Sequence, residues 1–302
     1  MTQETLPENE ENGRSNTWQW ILVGIGAALV LVSGGLWLNG RSSTDSYHDD
    51  IPTTTETTDT ENENGSTNDF IKLALTQAGQ GDVDTALESL DVAIASDVDA
   101  AAEAYYYKGI IFAEQGEYAD ALDAFELGIS ANPHMPELFA ARATTYATMG
   151  RPATALEDFN QAVELDPDYA PTYVNRGQAF LNMGEPDLAM EDFDHALVLN
   201  PELTAAYFNR GVLHLEKSEN DDALEDFYKA IEFSPDAPAP YFNRAVAYMN
   251  LNNLPAAAAD LIIYIGMTDD EEGKHQAEAL LSSLVEYEQQ QENSHIGDTS
   301  DE

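Results

Sequence analysis

One interval governs this sequence. Gly109, Ala143, Gly177, Gly211 and Ala245 stand 34 residues apart. Other columns keep the same step: Ala121, Ala155, Ala189, Ala223 and Ala257; Phe125, Phe159, Phe193, Phe227 and Leu261; Gly128, Ala162, Ala196, Ala230 and Tyr264; Pro133, Pro167, Pro201 and Pro235. A fixed step of this length marks a chain built from copies of one supersecondary unit, each unable to bury its apolar face alone. Units begin near residues 102, 136, 170, 204 and 238. A sixth, one residue longer, fills 67–101 and carries Gly81, Ala86, Leu90 and Ala93 in matching places.

Numbering places from the first residue of each unit, the apolar or small residues of the first half fall at places 4, 8 and 11, as in Tyr173, Gly177 and Phe180. That spacing is one face of a helix. Places 20, 24 and 27 repeat the arrangement in the second half, so each unit is expected to be two antiparallel helices. Gly116, Gly150 and Gly184 stand between them, where glycine supplies a left-handed helix end. Pro152, Pro186 and Pro255 follow in the opening turn of the second helix, which tolerates proline. Small residues at places 8, 20 and 27 let the helix axes approach and the hairpins stack.

The pattern resembles the tetratricopeptide repeat over roughly residues 67–271. The resemblance implies an all-α fold, an α-solenoid of about six tetratricopeptide-type helical hairpins wound into a right-handed superhelix. The following stretch GKHQAEALLSSLVEYEQQQ puts Ala277, Leu280, Leu284 and Tyr287 on one face, so residues 272–290 are expected to form a capping helix. The sixth repeat carries Ile262, Ile263, Tyr264 and Ile265 where polar or small residues are usual, a larger apolar face suited to receiving that cap.

Three flanking segments complete the expected organisation. Residues 1–17 are an acidic tail. Residues 18–38, WQWILVGIGAALVLVSGGLWL, are uncharged with Trp18, Trp20 and Trp37 near the ends, which predicts one transmembrane helix ahead of the repeats. A cleaved signal peptide fits less well, because the preceding tail is acidic and no small-x-small cleavage site follows. Residues 39–66, rich in Ser, Thr, Asp, Glu and Asn, lack the apolar surface that repays ordering and are read as a disordered linker, as is the acidic tail 291–302. The expectation is a single-pass membrane protein. Arg14 and Arg41 cancel as orientation signals, and the Thr- and Ser-rich linker favours an extracytoplasmic repeat domain. Asn64-Gly65-Ser66 matches a glycosylation acceptor, a triplet common by chance.

Arginine stands at place 7 of four repeats, three residues after place 4 and four before place 11, hence on the stripe expected to be buried. A lone cation there is costly. Sixteen residues after each comes an aspartate: Arg142 with Asp158, Arg176 with Asp192, Arg210 with Asp226, Arg244 with Asp260. Where place 7 is Leu73 or Lys108 the aspartate is replaced by Ser89 or Ala124. The spacing predicts four ion pairs, each inside its hairpin, and removes those arginines from ligand binding.

The family resemblance implies a concave groove lined by places 2, 5, 6, 9, 12 and 13 of the first helices. Place 6 supplies Asn175, Asn209 and Asn243, and the same faces carry Gln178, Asn182, Glu216 and Asn250. Amides both donate and accept, which suits the backbone of an extended peptide. Place 5 adds Tyr106, Val174, Phe208 and Phe242 as apolar surface. A solvated, duplicated asparagine is the plainer reading of place 6. The carboxylate-gripping version of the family uses Lys and Arg at places 2 and 6. Here place 2 is Glu103, Glu137, Pro171, Ala205 and Ala239, so that specificity is not expected.

Charge sets the class of partner. Against 12 Lys and Arg stand 56 Asp and Glu, a net charge of -44, which repels nucleic acid and anionic bilayers and favours neutral or basic proteins or peptides. The same acidity suits a high-salt habitat. There is no cysteine, hence no disulfide or thiolate site. No HExxH, phosphate loop or nucleophile elbow occurs, and GIGAAL at 24–29 lacks the last glycine of a nucleotide fingerprint. Asp192 and His195 lie one turn apart, as metal ligands can, but Asp192 is already matched to Arg176. TDDEEG at 268–273 lacks calcium-loop spacing. No catalytic residue, cofactor or metal is assigned. The sequence is read as a membrane-tethered scaffold or adaptor that binds a peptide or protein surface. The alternative is an assembly factor of a secretion, envelope or membrane complex acting by self-association or subunit recruitment, and an enzyme dependent on metal or nucleotide is a distant third.

Overall fold

A computed structural model describes residues 67–97 and 101–298. Its described residues contain thirteen α-helices and no strand. They alternate as first and second helices of six hairpins: α1 (Thr67–Gly79) with α2 (Val83–Ser96), α3 (Ala101–Glu114) with α4 (Tyr118–Ala131), α5 (Pro136–Thr148) with α6 (Pro152–Leu165), α7 (Ala170–Asn182) with α8 (Pro186–Leu199), α9 (Thr204–Glu216) with α10 (Asn220–Phe233), and α11 (Pro238–Asn250) with α12 (Leu254–Met267). The last helix, α13 (Glu271–Asp298), packs on α12. Each first helix packs against its own second helix, each second helix against the first helix of the next hairpin, and successive first helices lie side by side.

The turns inside the hairpins follow from their glycines. Gly81, Gly116, Gly150 and Gly184 adopt φ of 72 to 82°, a region closed to most side chains. At the fourth of these turns the Glu185 amide donates to the Phe180 carbonyl at 2.9 Å and Gly184 to Leu181 at 2.9 Å, which satisfies the last carbonyls of α7. The fifth and sixth repeats make the same turn with Ser218 at φ 61° and Asn252 at φ 59°.

The phenylalanine column explains the small residues opposite it. Phe125, Phe159, Phe193 and Phe227 are fully buried. A Cβ on Gly177 would come within 2.7 Å of the Phe193 ring, and one on Gly211 within 2.8 Å of Phe227. Where place 8 is glycine the first-helix backbone therefore packs directly on the aromatic ring of its partner helix, while the third repeat fits Ala143 opposite Phe159. In the sixth repeat, which has Ala245 at this place, the ring is replaced by Leu261.

The end of the solenoid differs from the sequence reading. Tyr264 is buried with Ala277, Leu280 and Leu284 of α13, and Ile265 packs against that cluster. Ile262 and Ile263 face outward, at 58% and 40% exposure. Four consecutive residues span the whole circumference of a helix, and a single helix covers one side of it. Helix α13 also runs to Asp298, past residue 291, where the sequence suggested a structureless tail.

The expected single-pass membrane localisation is corrected. No helix among the described residues is long and apolar enough to cross a membrane: the repeat helices have 13 or 14 residues, against about 20 apolar ones needed for a span, and the longer α13 is mostly polar. The run at 18–38 on which that expectation rested lies outside the described residues, as do the acidic segment 1–17 and the linker at 39–66.

Candidate functional site

Each of the four arginines grips its aspartate with two parallel hydrogen bonds. Arg142 Nε donates to Asp158 Oδ2 at 2.7 Å and Nη2 to Oδ1 at 2.8 Å; the corresponding distances are 2.9 and 2.7 Å for Arg176 with Asp192, 2.9 and 2.7 Å for Arg210 with Asp226, and 2.8 and 2.8 Å for Arg244 with Asp260. All four aspartates are buried. The aromatic ring at place 4 lies beneath each guanidinium, Phe139, Tyr173, Tyr207 and Tyr241 at 5.3 to 5.9 Å, a cation–π arrangement three residues back on the same helix. Hydrogen bonds to the aspartates raise Arg142, Arg176 and Arg210 above the usual guanidinium range; at Arg244 desolvation is the largest single influence and lowers it, but the hydrogen bond to Asp260 together with the charge of Asp260 leaves it raised. Burial pushes the Asp226 carboxyl up against the pull of Arg210.

A second arm of the network was not read from the sequence. Arg176 Nη1 donates to Asn160 Oδ1 at 2.9 Å, and Arg210 Nη1 to Asp194 Oδ1 at 2.6 Å. Both acceptors occupy place 25 of the preceding repeat. For Arg244 the same place of the preceding repeat is Tyr228, whose ring stands 4.6 Å from its guanidinium. Lys108, without an aspartate in its own hairpin, pairs with Asp91 of the preceding one. Arg176 and Arg210 thus tie their hairpins to the preceding ones. The signal was a second interval of sixteen, running backward from each arginine.

With the arginines engaged, the shared face of the first helices is left to neutral and acidic groups. Asn175 and Gln178 on α7 and Asn209 on α9 are half-buried, and none hydrogen-bonds to another of the described residues. Asn182 and Glu216 are exposed. Glu103, with Glu137 at the same place of the next repeat, lies at the N-terminal end of this face. Burial and then Glu137 push the Glu103 carboxyl up, and burial followed by both glutamates raises the Tyr107 phenol. Partial desolvation also raises Glu216.

Other candidates are placed elsewhere. Tyr106, Phe208 and Phe242 are 6%, 1% and 5% exposed. They sit in core clusters with Leu138 and Ala141, with Phe227 and Ala247, and with Tyr264 and Leu280. Val174 is buried as well. Place 5 faces the next hairpin, so stacking consumes the apolar surface that the sequence reading assigned to a ligand. Asn243 is buried and donates from Nδ2 to the Ala239 carbonyl at 3.0 Å. Asn250 donates to Asn220 Oδ1 at 2.8 Å. Asp192 is held by Arg176, and His195 is exposed with its ring 4.4 Å from Tyr173.

Family comparison agrees with this geometry. Two sequence profiles, both described as tetratricopeptide repeats, match residues 71–136 with 174–238 and residues 146–184, together more than half of the chain. The chain belongs to the tetratricopeptide repeat family. Its fold is similar to that of a tetratricopeptide repeat protein from Parabacteroides merdae (21% identity, TM-score 0.57, covering 74% of this chain and 88% of that one). It is also similar to PilW, a widely conserved type IV pilus biogenesis factor (19%, 0.62, covering 70% and 97%), and to a thermophilic tetratricopeptide repeat protein of Thermus thermophilus (21%, 0.51, covering 61% and 98%). No curated protein matches the sequence. As a tetratricopeptide repeat protein, the chain has a scaffold fold that supports protein–protein interaction.

Proposed function

We propose that this protein is a non-catalytic interaction scaffold that holds an extended peptide, or an extended segment of a partner protein, against the face shared by its first helices. The observation that carries this reading is the set of half-buried amides on Asn175, Gln178 and Asn209, which have no hydrogen-bond partner among the described residues. These amides reach solvent and are not engaged within the fold, and on successive repeats such groups can bond alternately to the N–H and C=O groups of an extended backbone. The aromatic and aliphatic residues of place 5 are occupied in stacking, so recognition rests more on backbone polar groups than on apolar pockets. The charge of -44 favours a neutral or basic segment.

Binding of neutral, basic and acidic fluorescein-labelled peptides to the full chain, followed by anisotropy, tests this. Neutral or basic peptides bind, acidic ones do not, and Asn175→Ala with Asn209→Ala weakens binding about tenfold, two hydrogen bonds at roughly 0.5–1 kcal/mol each. Undiminished binding in that double variant, or a preference for acidic peptides, overturns the reading.

A further inference from the structure

The turn between α9 and α10 departs from the other five. Place 11, aromatic in Phe112, Tyr146, Phe180 and Tyr248, is His214 here. The turn residue is Ser218, and α10 is entered through Glu219, Asn220, Asp221 and Asp222. One ligand atom each of His214, Glu219 and Asp222 lies within 4.8 Å of the others. The imidazole Nδ1 is 2.7 Å from Glu219 Oε2, and Nε2 is 3.8 Å from Asp226 Oδ2. Asp226 itself is buried and fixed by Arg210.

Imidazole with two carboxylates is a donor set for borderline transition metals, distinct from the all-oxygen shells of magnesium and calcium. A ligating histidine ordinarily turns its second nitrogen toward a carboxylate, and Asp226 lies on that side of the ring, 3.8 Å away and beyond direct hydrogen-bonding distance. Glu219 and Asp222 are exposed, so Glu219 is free to rotate outward from its hydrogen bond and water has access to complete the coordination. His214 lies in the last turn of α9, where the helix dipole favours a cation. The opposing dipole at the start of α10, equivalent to about half a charge, is outweighed by the two carboxylates.

We propose that His214, Glu219 and Asp222 bind one divalent transition-metal ion of the zinc or cobalt type, bracing the turn of the fifth hairpin. The site is separate from the amide-lined face, and neither proposal depends on the other.

The test is titration of the full, untagged chain with Co2+ in excess Mg2+, which occupies the acidic surface, reading the visible absorption of bound cobalt and its displacement by Zn2+. The expected result is saturation at one ion per chain. His214→Phe, which installs an aromatic residue like those at this place in four other repeats, keeps the helical circular dichroism and weakens cobalt binding at least tenfold, as does the surface substitution Asp222→Asn. Absence of cobalt absorption overturns the proposal. Equal affinity in the wild type and both variants does so too, and shows an adventitious ion only.

Discussion

Arg210 on α9 reaches back 2.6 Å to Asp194 on α8 while its other nitrogens grip Asp226 on α10. One side chain thereby joins the two helices of its own hairpin and ties that hairpin to the preceding repeat. Arg176 does the same with Asn160 and Asp192. The network runs along the stack, so its loss is expected to loosen neighbouring repeats together.

Removing one partner of a buried pair is expected to be worse than removing both. Asp192→Ala strands the Arg176 guanidinium, whose side chain is 17% exposed, and costs about 3 kcal/mol, the lower end for a buried pair. Asp192→Ala with Arg176→Leu leaves no stranded charge and costs less. Urea denaturation of the two singles and the double closes the cycle. Additive losses would show that the pair carries no coupling.

The arm between repeats is expected to contribute less. Asp194 has 56% of its side chain exposed, so Asp194→Ala should cost under about 1 kcal/mol, as surface pairs do, and the loss should shrink in salt. A loss comparable with that of Asp226→Ala would place the principal anchor between repeats and not within them.

Backbone strain at the fifth turn predicts a stabilising substitution. Ser218 holds φ 61° where four other repeats have glycine. Ser218→Gly is expected to raise stability by about 1 kcal/mol, which is roughly 2–4 °C in Tm for a domain of this size. Asn252→Gly should raise it less, since asparagine tolerates this region. Gly184→Ala should lower it. Thermal melts by circular dichroism read all three, and no gain for Ser218→Gly contradicts the strain.

Mild acidification is expected to stabilise the fold. The carboxyls of Glu103 and Glu216, though solvent-exposed at their surface, are raised in the folded state chiefly by partial desolvation against the surrounding chain. Between the ordinary carboxylate value and the raised one the folded state holds more protons than the unfolded, so stability falls as pH rises through that window and is higher below it. Tm should therefore increase on descending from neutral pH toward the carboxylate range. Glu103→Gln should rise in Tm at neutral pH and show a shallower slope. A Tm that falls steadily on acidification from pH 7 would refute this.

The hairpins were legible because a 34-residue step repeats side-chain size with the regularity of a lattice: Gly177 opposite Phe193, Pro167 after one helix, Gly184 before the next. The arginine–aspartate pairs were legible because a fixed interval inside a fixed hairpin determines which side chains meet. The binding face was only half legible. Asn175 and Asn209 are on offer and Asn243 is not, although all three occupy place 6, because Asn243 has turned back on the Ala239 carbonyl inside a buried end of the stack. Tyr106, Phe208 and Phe242 were misplaced for a related reason. Periodicity gives the face of a helix, but which neighbour covers that face depends on the angle at which the next hairpin arrives.

The sequence by itself determined the unit: helix lengths, turns, the apolar stripe and the partner of every buried arginine within its own hairpin, because these depend on residues close along the chain whose geometry is set by helical pitch. Only the tertiary structure decided how units meet: the reach of Arg210 to Asp194, the burial of the place 5 aromatics, and the outward turn of Ile262 and Ile263. Those relationships arise from the packing of one hairpin on the next, and that packing is a property of surfaces in three dimensions which no single interval along the chain encodes.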